Sequence, residues 1–198
     1  MVNGKSITYT YVTLYTASRN LKLMYDKAFE SGRKHEALSL RLAALNMIFY
    51  TLEAFLNHLI KSIKPDIWKN EREIFSRGDV DGRIYRGPIG KLEYIHDCCN
   101  LKYDQERQTI KNIKLIKKYR DMIAHGKTYS DNYSQEECEN NSSVFYIAKH
   151  ELLVDSYNDI GILINDLFGY AKNNYNEVDL GPDPSLSISY ESTFDYIQ

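Results

Sequence analysis

Residues 35–63 read HEALSLRLAALNMIFYTLEAFLNHLIKSI, and the fold class follows from that stretch. Leu38, Leu42, Leu45, Phe49, Leu52, Leu56, Leu59 and Ile63 recur at steps of three and four, the spacing that gathers side chains on one face of a helix. No Gly or Pro interrupts the run before Pro65, so the pattern predicts one long helix. Upstream, residues 11–30 are rich in Thr and Tyr at first, then place Leu21, Tyr25, Ala28 and Phe29 at helical spacing, with Ser31-Gly32 as a stop. The two segments are expected to pair as an antiparallel helical hairpin.

Downstream, Pro65, Gly78, Gly82, Gly87 and Pro88 mark a connecting loop over 64–88, with one short helix around 67–75. A short helix over 89–100 carries Leu92, Ile95 and Cys99 on one side. Asp104 reads as the N-cap of a helix that continues to His125 and closes at Gly126. Residues 128–143, TYSDNYSQEECENNSS, read as a polar, acidic loop, and 144–147 as a short strand. A closing helix over 151–173 holds Leu153, Tyr157, Ile160, Ile164, Leu167 and Ala171 in register. The last 25 residues contain no Lys or Arg and include GPDPS. The chain therefore reads as mainly helical, with about five helices over 1–175. An acidic tail over 176–198 follows, poorly ordered or lying as an arm on a partner.

A length of 198 residues suits one domain, and 43% hydrophobic with 26% charged residues is the composition of a chain that buries a core. The net charge of −2 excludes a whole-protein electrostatic signature of nucleic-acid binding, so an anionic partner must be held by a local patch. Residues 1–6 carry no basic-then-apolar leader, and no uninterrupted apolar run approaches a membrane span, so a cytoplasmic protein without a membrane partner is expected. Cys98, Cys99 and Cys138 are odd in number, two of them adjacent, and no C-x-x-C spacing occurs, so neither a disulfide nor a metal site is expected. No phosphate-cradling glycine loop and no local signature of a Ser or Cys nucleophile is visible, and no cofactor is expected.

The local patch lies on the helix after Asp104. Residues 102–127 hold eight Lys or Arg against three acids, a local balance of +5. At about 100° per residue, Ile110, Ile113, Ile116, Ile123 and Ala124 share an arc, and Arg120 sits near its middle, where a guanidinium needs a partner. Arg107, Lys111, Lys114 and Lys118 gather opposite, with His125 projecting roughly their way. On the long second helix Asn46, Tyr50, Glu53 and Asn57 form a polar seam, and Glu53 is the natural counter-ion of Arg120 if the helices pack. Periodicity leaves two readings open: an ion pair that fixes helix register, or a site.

Residues 116–126, IKKYRDMIAHG, resemble the signature of the HEPN superfamily (higher eukaryotes and prokaryotes nucleotide-binding), in which an Arg followed by a polar residue precedes a His near a helix end. Arg120, Asp121 and His125 match that form with four intervening residues. The context is similar too: LEAFLN at 52–57 on a long upstream helix, IGKLEYI at 89–95 opening a short helix, and a closing helix downstream. The resemblance spans roughly residues 10–175 and leaves 64–88, 128–143 and the tail unaccounted for.

The resemblance implies an all-α, up-and-down bundle of about five helices, a homodimer whose Arg-His pairs face one another across a cleft, and metal-independent endoribonuclease activity in toxin–antitoxin or antiphage systems. Partners so implied are RNA, a second copy of the chain, and an antitoxin or other partner protein. His125 would move protons as the ribose 2′-OH attacks, and Arg120 would stabilise charge growing on the phosphate. Asp121 or Glu53 would orient either group, or be structural. Lys111, Lys114, Lys118 and Lys127 would steer RNA by charge, and Tyr129, with Tyr119 and Tyr133, would offer rings to unpaired bases. On an ideal helix Arg120 and His125 stand about 140° apart, so two subunits would share the work. The Tyr that some HEPN toxins carry two positions after the His is Lys127 here, so control by nucleotidylation is not carried over. The alternative is a non-catalytic HEPN-like module that binds RNA or a partner protein.

Overall fold

The computed structural model describes residues 9–124, 150–181 and Pro184. All regular structure among them is helical: α1 (Thr10–Glu30), α2 (Lys34–Ile63), α3 (Pro65–Lys69), α4 (Glu71–Ile74), α5 (Gly87–Cys98), α6 (Gln108–Ala124) and α7 (His150–Asn174). Five are long and two are single turns, so the described residues form an all-α bundle. His125, Lys127, Tyr129, Tyr133, the 128–143 loop and the 144–147 strand lie outside the described residues.

The hairpin of α1 and α2 closes through a Schellman motif. Gly32 takes φ +71°, its N–H donates to the Phe29 carbonyl at 3.0 Å, and Arg33 N–H donates to the Ala28 carbonyl at 2.9 Å. α2 is the axis of the bundle, packed against α1, α3, α5, α6 and α7. Its buried face is broader than one stripe: Ile48, Phe55 and Ile60 are as deep as Leu45, Phe49, Leu52 and Leu56, because neighbours surround its C-terminal two-thirds. α2 is long and apolar enough to cross a membrane by length and composition, and 39% of its apolar window is buried in this fold, with Leu45, Ile48, Phe49 and Leu52 turned inward. On α7, Leu153, Tyr157, Ile160, Ile164, Leu167 and Ala171 are all buried, and Tyr157 stacks on Tyr15 of α1 with ring centroids 5.3 Å apart.

The 64–88 segment is more structured than a loop. Pro65 starts α3 earlier than the sequence suggested, and Asn70 at φ −116° and ψ 23° splits the expected single helix into α3 and α4. Asp81 and Gly82 both have positive φ, and Val80 and Arg83 exchange backbone hydrogen bonds around them, as a type I′ turn requires. Asp97 of α5 secures the segment, accepting from Arg83 Nη1 at 2.9 Å and from Tyr85 Oη at 2.6 Å. Gly90 admits no side chain, since a Cβ there would stand 2.9 Å from Tyr85 Cα and press on its carbonyl carbon.

Two boundaries differ from the sequence reading. Asp104 does not cap α6. Its Oδ1 accepts from Glu106 N–H at 2.9 Å and its carbonyl from Arg107 N–H at 3.3 Å, so it organises a turn, and the helix begins at Gln108. The first residues of the tail, 176–181, are also held against the bundle. Leu180 is buried, its carbonyl accepts from His58 Nε2 at 3.0 Å, and Tyr175 Oη donates to the Cys98 carbonyl at 3.1 Å. Residues 175–181 thus form a strap on the chain's own bundle.

Candidate functional site

α6 delivers Arg120 one turn beyond the buried Ile116, onto the edge of α2. The guanidinium lies over the Phe49 ring, its carbon 5.2 Å from the centroid. Nη1 is 3.0 Å from Asp121 Oδ1, and Nη2 is 3.7 Å from Glu53 Oε2. The second distance is an ion pair too long for a hydrogen bond. The Arg120 side chain is 22% exposed and Glu53 29%, so the group sits at a half-open seam. Arg120 Nε is buried and has no acceptor among the described residues. Asp121 also accepts from Lys117 Nζ at 2.6 Å, so two carboxylates meet two cations.

The structure therefore brings together Arg120, Asp121 and Glu53, three of the four residues read as catalytic, while His125 lies outside the described residues. Of the steering lysines, Lys111 pairs with the exposed Glu106 at 2.9 Å and Lys114 donates to Gln105 Oε1 at 3.3 Å. Lys118 is exposed and makes no ion pair among the described residues. Pairs as exposed as Lys111 with Glu106 are weak and yield readily to a polyanion. Tyr119 is no stacking platform. It is 1% exposed, and burial pushes its hydroxyl up to about 12. In the polar seam, Tyr50 is exposed, whereas Asn57 is committed elsewhere: its Oδ1 accepts from Lys91 Nζ at 2.7 Å, and Lys91 also pairs with Glu71.

Other chemistry is less available. Burial raises both thiols of the Cys98–Cys99 pair, Cys99 to about 11, so neither is a thiolate near neutral pH. His96 donates from Nδ1 to the Leu92 carbonyl at 2.8 Å, and burial lowers its pKa, keeping the ring neutral. Among the described residues no three His, Cys, Asp or Glu side chains gather as metal ligands.

Sequence reasoning passed over one feature, a cleft of about 400 Å³ where the start of α1, the end of α2, α3 and the strap converge. Tyr9, Asn57, His58, Lys61, Trp68 and Asp179 line it. Its only linear signal is a lone Trp one element beyond a helical His and Lys.

No protein-family model matches the chain, and no curated protein or solved structure is significantly similar to it.

Proposed function

We propose that the chain is a metal-independent endoribonuclease of HEPN type, a toxin or antiphage-defence component that works in the cytoplasm as a homodimer. The observation that carries the reading is the state of Arg120: a guanidinium over the Phe49 ring at a half-open seam, loosely paired to Glu53, with a buried Nε still lacking an acceptor among the described residues. Asp121 keeps hold of Nη1, so Nη2 is the arm that can turn to a phosphate oxygen, and it gives up only the long Glu53 pair to do so. In this mechanism the 2′ oxygen bonds to phosphorus as the 5′ oxygen departs. His125 takes the 2′-OH proton or supplies one to the leaving oxygen, and Arg120 neutralises the charge between them. Asp121 fixes the Arg120 rotamer. Lys111, Lys114 and Lys118, with Lys127, draw the strand in, and Tyr129 offers a ring to a base.

The test is cleavage of a mixed-sequence RNA in EDTA by the wild type, Arg120→Ala and His125→Ala. The expected outcome is cleavage by the wild type, reduced about 100-fold or more in each variant. RNA affinity should fall as salt rises, less steeply for Lys118→Ala. Equal activity in all three preparations would overturn the assigned roles, and loss of cleavage with EDTA would overturn the metal-free chemistry.

One observation favours the second reading, a non-catalytic module binding RNA or a partner protein. Asp121 and Glu53 bracket Arg120 as a register-fixing pair would. A wild type that binds RNA with the same salt dependence but never cleaves it would be that module.

A further inference from the structure

The cleft between α1, α2, α3 and the strap is built of fixed walls. Tyr9 meets His58 edge-on at 5.4 Å and Tyr11 at 6.1 Å, so the aromatic side is locked. Lys91 only donates, so its bond to Asn57 Oδ1 fixes which way that amide faces and leaves the NH₂ as what Asn57 offers the cleft. The Leu180 carbonyl only accepts, so the facing His58 Nε2 carries a proton. Asp179 holds its place by accepting from Gly181 N–H at 2.9 Å. Trp68 is half-buried against the cleft, and Lys61 is exposed at it, with no ion pair among the described residues.

We infer that this cleft binds a nucleotide unit, the base against Trp68 and Tyr9, its polar edge toward the Asn57 amide and the Asp179 carboxylate, and the phosphate at Lys61. The space is within the range of small-molecule sites, about 300–1,000 Å³. An apolar ligand would leave a lysine, an amide and a carboxylate idle in the lining, whereas a nucleotide uses a π-face, a donor, an acceptor and a cation together. The inference stands without the Arg120–His125 reading, since it shares no residue with it. The nucleotide is either free or one unit of a single RNA strand.

Trp68 is the only tryptophan in the chain, so its emission reports on the cleft directly. The experiment titrates the full chain with AMP, UMP, a short 2′-O-methyl oligoribonucleotide that cannot be cleaved by its own 2′ oxygen, and ribose 5-phosphate. A saturable change in Trp68 emission is expected with a mononucleotide or the oligonucleotide, and binding about tenfold weaker in Lys61→Glu. Lys61 is exposed, so that variant should keep the wild-type circular dichroism. Mononucleotide binding as tight as the oligonucleotide's marks a free-nucleotide site, and binding of the oligonucleotide alone marks a strand subsite. No saturable change with any nucleotide would overturn the inference, as would equal binding of ribose 5-phosphate or unchanged affinity in Lys61→Glu.

Discussion

Arg120 and Gly90 show how differently single residues are held. Arg120 and both its carboxylate partners remain in reach of water, so Glu53→Gln should cost only about 1 kcal/mol in urea unfolding. A loss above roughly 3 kcal/mol, the size expected when a buried pair is broken, would show that the seam closes more tightly than described. Gly90 has no such slack, because the atoms a Cβ would meet belong to the Tyr85 backbone. Gly90→Ala should cost about 1–3 kcal/mol by the same assay and loosen the Asp97–Tyr85 bond, and a neutral result would mean that the backbone there yields freely. The pairing of Arg120 with Glu53 was legible in the sequence because a charge in an apolar arc demands a counter-ion, and Glu53 is the only acid between Glu36 and Asp66. Asp121 as the closer partner was not, since adjacent residues on a helix point about 100° apart until an Arg side chain bends back.

At the scale of elements, the long helices were legible from apolar period alone, and α2 and α7 match their expected spans to within a residue. What escaped was everything decided by a neighbour. Asp104 has the chemistry of a cap, but Glu106 and Arg107 use it for a turn first. Leu180 stands with Val178 and Tyr175 among polar and acidic residues, too short a run to announce a period. Its burial depends on His58, 122 residues away in sequence. This matters for testing whether the acidic tail shields the basic patch. Deleting 176–198 removes the strap with the tail and should lower stability by about 2–3 kcal/mol, the worth of a buried Leu and its carbonyl bond. Deleting 185–198 keeps the strap, so it should cost less than the longer deletion and, if the tail's charge shields the patch, raise RNA affinity at low salt. Equal stability of the two truncations would show that the strap contributes nothing.

For the whole molecule, the tyrosine-rich core sets an alkaline limit. Burial raises Tyr103 and Tyr119 to about 12, and raises Tyr94 and Tyr157 further. An unfolded phenol ionises near about 10, so between roughly pH 10 and 12 the folded chain holds protons that the unfolded chain has lost. The contribution is therefore complete below pH 10 and disappears as pH climbs through that window. Unfolding followed by circular dichroism should coincide with a steep rise in phenolate absorbance. Gradual phenolate formation with the fold intact would show that these hydroxyls reach water.

Gly181, at φ +76°, rests so close to the Tyr9 ring that a Cβ would come within 2.6 Å of its Cζ. Positions 9 and 181 are therefore spatial neighbours, and the path of the bundle between them is nearly a closed ring. A short peptide joining them, with new termini opened at the exposed Asp81–Gly82 turn, should yield a circular permutant that still folds.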